Sequence, residues 1–144
     1  MKQFIAGTAV ILLLAAALWY ILFVPPLHQI RYGVSFVQKG YQTNAAGLAT
    51  PVFAVSNSGP REVFVTAGRQ IAPNAFDMLG SLPQRLAPGQ ATLVMVPLSA
   101  QSTQARAFLH CQAADPPSKV GRLVGRFLLK QRFVELVYAE GGAK

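Results

Sequence analysis

Hydrophobic and polar positions along this chain follow three rhythms in succession. Residues 4–24 (FIAGTAVILLLAAALWYILFV) carry no charged side chain. A helix of that length, rising about 1.5 Å per residue, reaches across a bilayer core of roughly 30 Å. From residue 32 onward apolar residues alternate with polar ones in short stretches separated by Gly, Pro, Asn and Ser. That period of two belongs to an antiparallel β-domain. Residues 118–132 (SKVGRLVGRFLLKQR) then turn to a period near 3.6. On a helical wheel Val120, Leu123, Val124, Phe127 and Leu128 share one arc, and Lys119, Arg122, Arg126 and Lys130 fall on another. The pattern predicts a mainly β protein: an N-terminal transmembrane helix, an immunoglobulin-like antiparallel β-sandwich of about seven strands, and one amphipathic helix before the last strand.

Within the sandwich, residues 32–42 form a first strand, with Val34, Phe36 and Gln38 on one face. A turn over residues 44–47 leads to a second strand at 51–57, which places Phe53 and Val55 on one side. Asn57, Ser58, Gly59 and Pro60 give a strong turn signal into a strand at 62–70 with Val63 and Val65 inward. Periodicity is lost over 71–84, which reads as a loop with a short irregular strand around 77–82. Pro88 and Gly89 turn the chain into a strand at 91–98, another follows at 105–112, and 133–139 closes the domain with Val134, Leu136 and Tyr138 alternating against Glu135. The organisation is an anchor at 1–26, a linker at 27–33, the sandwich at 34–140 with its helix around 118–131, and a tail at 141–144.

A secretory signal peptide shares the basic start at Lys2 and an apolar run, and Ala15 and Ala17 supply a small-residue cleavage site. The run continues through Trp19 and Tyr20 to Val24, which is long for a signal core and favours an uncleaved anchor. Trp19 and Tyr20 stand where interfacial aromatics stand, and Pro25 and Pro26 stop the helix as the chain leaves the lipid. Lys2 and the terminal amine are nearly balanced by Arg31 and Lys39, so the positive-inside rule discriminates weakly. The expected arrangement is a single-pass protein of the cell membrane, with a short N-terminal tail and the domain on the exported, periplasmic side. Cys111 is the only cysteine, which rules out an intrachain disulfide and leaves the compartment open.

Beyond the anchor lie 12 of the 13 Lys and Arg and all five Asp and Glu. That cationic excess favours anionic partners: lipid headgroups first, given the anchor, or an envelope protein. Lys119, Arg122, Arg126 and Lys130 are the candidate contacts, on a basic amphipathic helix that Ser118 caps and that Gly121 and Gly125 weaken. Solvated charges on a helix packed over the sandwich are the alternative. Nucleic acid is disfavoured, since no recognition motif accompanies the charge. Catalytic chemistry has little to draw on. His110 and Cys111 are strand neighbours pointing to opposite faces, the carboxylates are unpaired in sequence, and one Cys with two distant His offers no metal cluster. Neither a cofactor nor an enzymatic activity is expected. If Ala107, Leu109 and Cys111 face the core, Arg106, Phe108 and His110 share the other face, either as a partly covered sheet face or as a small recognition surface.

Residues 37–112 also carry a resemblance. Gly40, Tyr41, Gln42, Thr43 and Asn44, then Gly47, the run Phe53, Ala54, Val55, Ser56 and Asn57, and Leu86, Ala87, Pro88 and Gly89 before a strand ending at Pro97 resemble a group of small, functionally uncharacterised bacterial single-pass membrane proteins with a short Ig-like β-domain. Ala105 and Arg106 stand where that group leads one to expect a Trp-Arg pair. The resemblance implies a fold and a topology but no activity. The expected role is contact rather than chemistry, as a subunit or adaptor of the cell envelope. A structural spacer, or an enzyme with a site near His110, are the alternatives.

Overall fold

The computed structural model describes residues 2–43, 45, 47–79, 83–98 and 105–140, with side chains from residue 7 onward. In chain order its elements are α1 (Lys2–Phe23), β1 (His28–Gln29), β2 (Val34–Thr43), β3 (Ala49–Asn57), β4 (Val63–Ala72), β5 (Ala75–Met78), β6 (Gln84–Leu86), β7 (Ala91–Met95), β8 (Arg106–Ala113), α2 (Lys119–Leu123), a π-helical turn (Val124–Leu128), β9 (Gln131–Arg132) and β10 (Val134–Tyr138). They divide into two units. One holds the chain up to Gln29 with Pro117–Arg132, and the other holds Ile30–Pro116 with the chain from Phe133.

The second unit is mainly β, with two antiparallel sheets in the manner of a β-sandwich. A three-stranded sheet runs β2-β3-β7, and a five-stranded sheet runs β10-β8-β4-β5 with β6 beside the first half of β4. Alternation sends Phe36, Phe53 and Val55 inward from the first sheet, and Val63, Val65, Ala67, Leu109 and Cys111 inward from the second. The Phe36 and Phe53 rings pack with centroids 4.6 Å apart. Full burial of side chains of this size contributes about 1.5–3 kcal/mol each. After β10 the chain crosses between sheets: the Glu140 N–H donates to the Phe36 carbonyl at 2.9 Å, and the Ala139 N–H donates to the Ala107 carbonyl at 3.0 Å.

Asn57 ends β3 inside this core, only 1% exposed. Its Nδ2 donates to the Arg61 carbonyl at 2.8 Å and the Leu86 carbonyl at 3.1 Å, while its Oδ1 accepts the Gly59 N–H at 3.0 Å. Its backbone N–H donates to the Gln90 carbonyl, and its carbonyl accepts from the Gly89 N–H at 2.7 Å. Gly59 is required there, because a Cβ at that position would lie 1.8 Å from the Tyr32 carbonyl oxygen.

Several sequence expectations change here. The segment 71–84, read as a loop with a short irregular strand around 77–82, contains β5 a little earlier, at Ala75–Met78, paired through Gln70 with Phe76 and Arg69 with Asp77; residues 80–82 lie outside the described residues, as do 44, 46 and 141–144. Four residues are too few for periodicity to register. The Arg69 to Asp77 ion pair at 2.8 Å holds β5 in place. β6 forms just ahead of the turn at Pro88 and Gly89, where no strand was expected, paired with Val63, Phe64 and Val65. In β10 the alternation holds and the structure assigns its faces: Glu135 and Val137 oppose Cys111 and Leu109 on the core side, whereas Val134, Leu136 and Tyr138 lie on the outer face. The Glu135 carboxylate tolerates that position because it accepts the Tyr32 N–H at 2.7 Å.

In the first unit, α1 covers the charge-free segment up to Phe23 and ends before Pro25 and Pro26, which disfavour helix at the residue ahead of them. Among the described residues no helix is long and apolar enough to cross a membrane, so the N-terminal transmembrane helix expected from the sequence is not supported by the fold. The helix expected around 118–131 splits into α2 and the π-helical turn, with the Leu129 N–H reaching back five residues to the Val124 carbonyl at 3.1 Å. Gly121 and Gly125, weak helix formers, lie within or beside the α-to-π junction. The segment groups with α1, not with the sandwich into which the sequence divided it.

Asn57→Ala should lower the stability of the full chain by about 3 kcal/mol, since it orphans the buried Leu86 carbonyl and Gly59 N–H and the part-buried Arg61 carbonyl. Chemical denaturation in detergent micelles checks this. A loss below about 1 kcal/mol would show that water replaces the amide.

Candidate contact surfaces

Two surfaces carry the candidate residues, and each lies within one unit. In the first unit, Ser118 caps α2: its Oγ accepts the Gly121 N–H at 3.1 Å, and the Arg122 N–H closes the turn on the Ser118 carbonyl at 2.8 Å. Lys119, Arg122 and Arg126 are exposed as the helical wheel expects. So are Val120, Leu123, Val124 and Leu128, the first two at 69% and 57%. The apolar arc of this short helix therefore faces outward together with its cations.

Lys130 departs from its expected role as an anionic-partner contact. It is buried, 2% exposed, in a left-handed backbone conformation with φ of 51°. Its Nζ donates to the Ile21 carbonyl at 3.1 Å and sits 4.8 Å from the centre of the Tyr20 ring. Ile21 is among the last residues of α1, whose terminal carbonyls have no partner within the helix. A cation placed there answers both the free carbonyl and the negative end of the helix dipole. Two further bonds hold the arrangement: the Tyr20 hydroxyl donates to the Leu128 carbonyl at 3.4 Å, and the His28 N–H donates to the Lys130 carbonyl at 2.9 Å. The parallel pairing of β1 with β9, His28 to Gln131 and Gln29 to Arg132, continues it. Trp19 is exposed on α1 beside Tyr20. No sequence signal marks this cap, because its partners are 109 residues apart.

In the second unit, Arg106, Phe108 and His110 do share the outer face of the five-stranded sheet. Phe108 is not open to a partner, since it is 1% exposed beneath neighbours on that same face. Phe76 meets it edge-on at 5.6 Å and Tyr138 at 6.2 Å, while Gly68 across the strand pair leaves room for the ring. A Cβ at Gly68 would lie 2.5 Å from the Phe108 Cζ. The Arg106 guanidinium lies 5.4 Å from the centre of the Tyr138 ring. Phe76, Met78, Val134 and Leu136 are exposed around this cluster, with His110 between Thr66 and Leu136. Phe76 and Tyr138 were missed as members of this face; the alternation over 75–78 and 134–138 was the available signal, but its inward side was not legible.

The outer face and the core divide His110 from Cys111. The thiol is fully buried, and burial, with Glu135 adding to it, pushes its pKa up to about 12. A thiol held protonated with its neighbouring imidazole on the opposite face is not an activated nucleophile. Among the described residues no group of three or more His, Cys, Asp or Glu could hold a metal ion.

No family model and no curated protein matches the sequence. Among solved structures the chain is similar to DesR, a beta-glucosidase from Streptomyces venezuelae in complex with D-glucose, at 19% identity and a TM-score of 0.28. The match covers 73% of this chain and 15% of that one. A likeness of that size carries no argument about either fold or activity.

Lys130→Met should loosen the end of α1 by about 1.5–3 kcal/mol, the worth of a hydrogen bond to a charged group. Limited proteolysis of the detergent-solubilised chain reads this as faster cleavage between residues 115 and 132, and Lys130→Arg should restore much of the protection. For Cys111, the folded chain holds its proton more tightly than the unfolded chain, whose thiol titrates near 9.0. This site's contribution to stability is therefore full below that pH and is lost as pH rises toward about 12. At pH 9 iodoacetamide should label the native chain at least roughly tenfold more slowly than the guanidinium-unfolded chain.

Proposed function

We propose that this protein is a single-pass membrane-anchored binding module of the bacterial cell envelope, a subunit or adaptor acting by contact. α1 is its anchor, and an immunoglobulin-like sandwich is its working domain, on the exported side. One observation carries the reading. Residues 4–24 are charge-free, and the described part of α1 leaves large apolar side chains exposed all round, among them Ile11, Leu13, Leu18, Leu22 and Phe23. A helix apolar on every side needs an apolar medium. The resemblance to small single-pass membrane proteins agrees with this.

The outer sheet face supports the binding half of the proposal. A cluster built on Phe108, Phe76 and Tyr138, with Met78, Val134 and Leu136 exposed around it and Arg106 at its edge, is larger than the isolated apolar residues of an ordinary surface. It suits a protein partner in the envelope. The sequestered Cys111 and the unclustered carboxylates give no comparable support to catalysis.

Membranes carrying the full chain should retain it through alkaline carbonate extraction, and a chain lacking residues 1–26 should be released. Release of the full chain would overturn the anchor. A tag placed after Lys144 should become protease-sensitive once the outer barrier alone is opened; protection until the inner membrane is disrupted would put the domain in the cytoplasm.

A further inference from the structure

The exposed apolar arc beside the end of α1 is left without an occupant by everything above. Val120, Leu123, Val124, Leu128 and Leu129 are all exposed, and no described element of their own unit covers them. Lys119, Arg122 and Arg126 are exposed on the same ten-residue stretch, which contains no acidic residue. Solvent is a poor environment for such a surface, and an apolar arc flanked by cations is the pattern of a helix lying in a bilayer interface.

The position of the segment within its unit decides the depth. The Tyr20 hydroxyl bonds the Leu128 carbonyl, and Lys130 Nζ bonds the Ile21 carbonyl. The end of the π-helical turn is thereby held at the last turn of α1. In the anchored reading, that turn is where the charge-free run ends and Trp19 and Tyr20 meet the headgroups. The segment that carries the exposed apolar side chains of 120–129 is thus joined at its C-terminal end to the last turn of α1, with Arg122 and Arg126 exposed.

We infer that α2 and the π-helical turn form a second membrane contact: an interfacial foot. It inserts Val120, Leu123, Val124 and Leu128 into the headgroup–acyl boundary and sets Arg122 and Arg126 against anionic phospholipid headgroups of the leaflet where α1 emerges. The inference rests on the anchor reading and names the anionic partner of the basic segment. Its effect is mechanical. A single helix is free to tilt and rotate about its axis in the bilayer, whereas a helix and a foot joined by the Lys130 cap restrict the tilt and rotation of this unit.

The full chain, reconstituted in vesicles, reports on the anchor and the foot separately. Trp19 is the only tryptophan, so its quenching by phospholipids brominated on the acyl chain reads the anchor. An environment-sensitive maleimide dye on Leu123→Cys reads the foot, because Cys111 is buried and its thiol does not compete. In vesicles containing phosphatidylglycerol, both probes should be quenched by lipids brominated near the headgroup end of the chains. Arg122→Gln and Arg126→Gln should each lower the inserted-to-withdrawn ratio of the foot about fivefold, in line with the worth of one cation at an anionic surface, and leave Trp19 quenching unchanged. Replacing the anionic lipid by phosphatidylcholine should do the same. Trp19 quenched with the Leu123 probe unquenched would overturn the foot and keep the anchor. Foot quenching indifferent to both arginines and to lipid charge would overturn the headgroup contact. Loss of Trp19 quenching would remove the anchor and the foot together.

Discussion

A buried amide must find partners for both of its ends, and at Asn57 that requirement governs how the sandwich is assembled. Its side chain joins the end of β3 to the turn leading into β4 and to the end of β6, and its backbone joins the same point to the turn before β7. β3 belongs to one sheet and β4 and β6 to the other, so this residue stands where the chain changes sheets. An unpaired amide in that core would cost a few kcal/mol, comparable to the burial energy of a large side chain. The turns around it are therefore coupled: Gly59 packs against Tyr32, and Leu86 and Gly89 hold their places because Asn57 is satisfied through them or beside them. The FAVSN and LAPG runs, far apart in the chain, are two halves of one hydrogen-bonded junction.

The other unit is organised by a different need, that of carbonyl groups at the end of a helix. α1 has no basic residue in its last turn and no glycine after it. Its cap arrives from the far end of the chain as Lys130, in a left-handed conformation that a lysine adopts only when its surroundings compensate the strain. Burying a cation there is tolerable because a carbonyl, a helix dipole and the Tyr20 ring all face it. One of the four cations expected to meet an outside partner is thus engaged inside the fold, while Lys119, Arg122 and Arg126 stay exposed. The distinction bears directly on function, because binding through the basic segment rests on fewer cations than the wheel suggests, set beside an exposed apolar arc.

Both surfaces illustrate how a short sheet or helix divides its residues between stability and contact. On the outer sheet face Phe108 is covered by Phe76 and Tyr138, so the recognition area shifts from the trio at 106, 108 and 110 to the residues around it. Gly68 makes this possible by letting an aromatic ring lie across the strand pair. His110 and Cys111, adjacent in sequence, end in opposite environments, one on the outer face and one in the core.

What the sequence determined by itself was whatever depends on near neighbours. Residues 4–23 had to be helix because nothing in them breaks one ahead of Pro25, and the strands ending at Asn57 and beginning near Glu62 were legible because alternation and a turn signal lie within a few residues of each other. The candidate trio at Arg106, Phe108 and His110 was legible for the same reason, since alternation alone assigns a common face. Tertiary structure decided what depends on distant partners. β5 and β6 are too short to show a period and exist because β4 offers them an edge. The inner face of β10 went to Glu135, against its polarity, because Tyr32 supplies a backbone N–H more than a hundred residues away. Lys130 became a cap because Ile21 needed a donor. Local periodicity reports which side chains share a face; which face is buried is set by the long-range contacts that satisfy the polar groups left there.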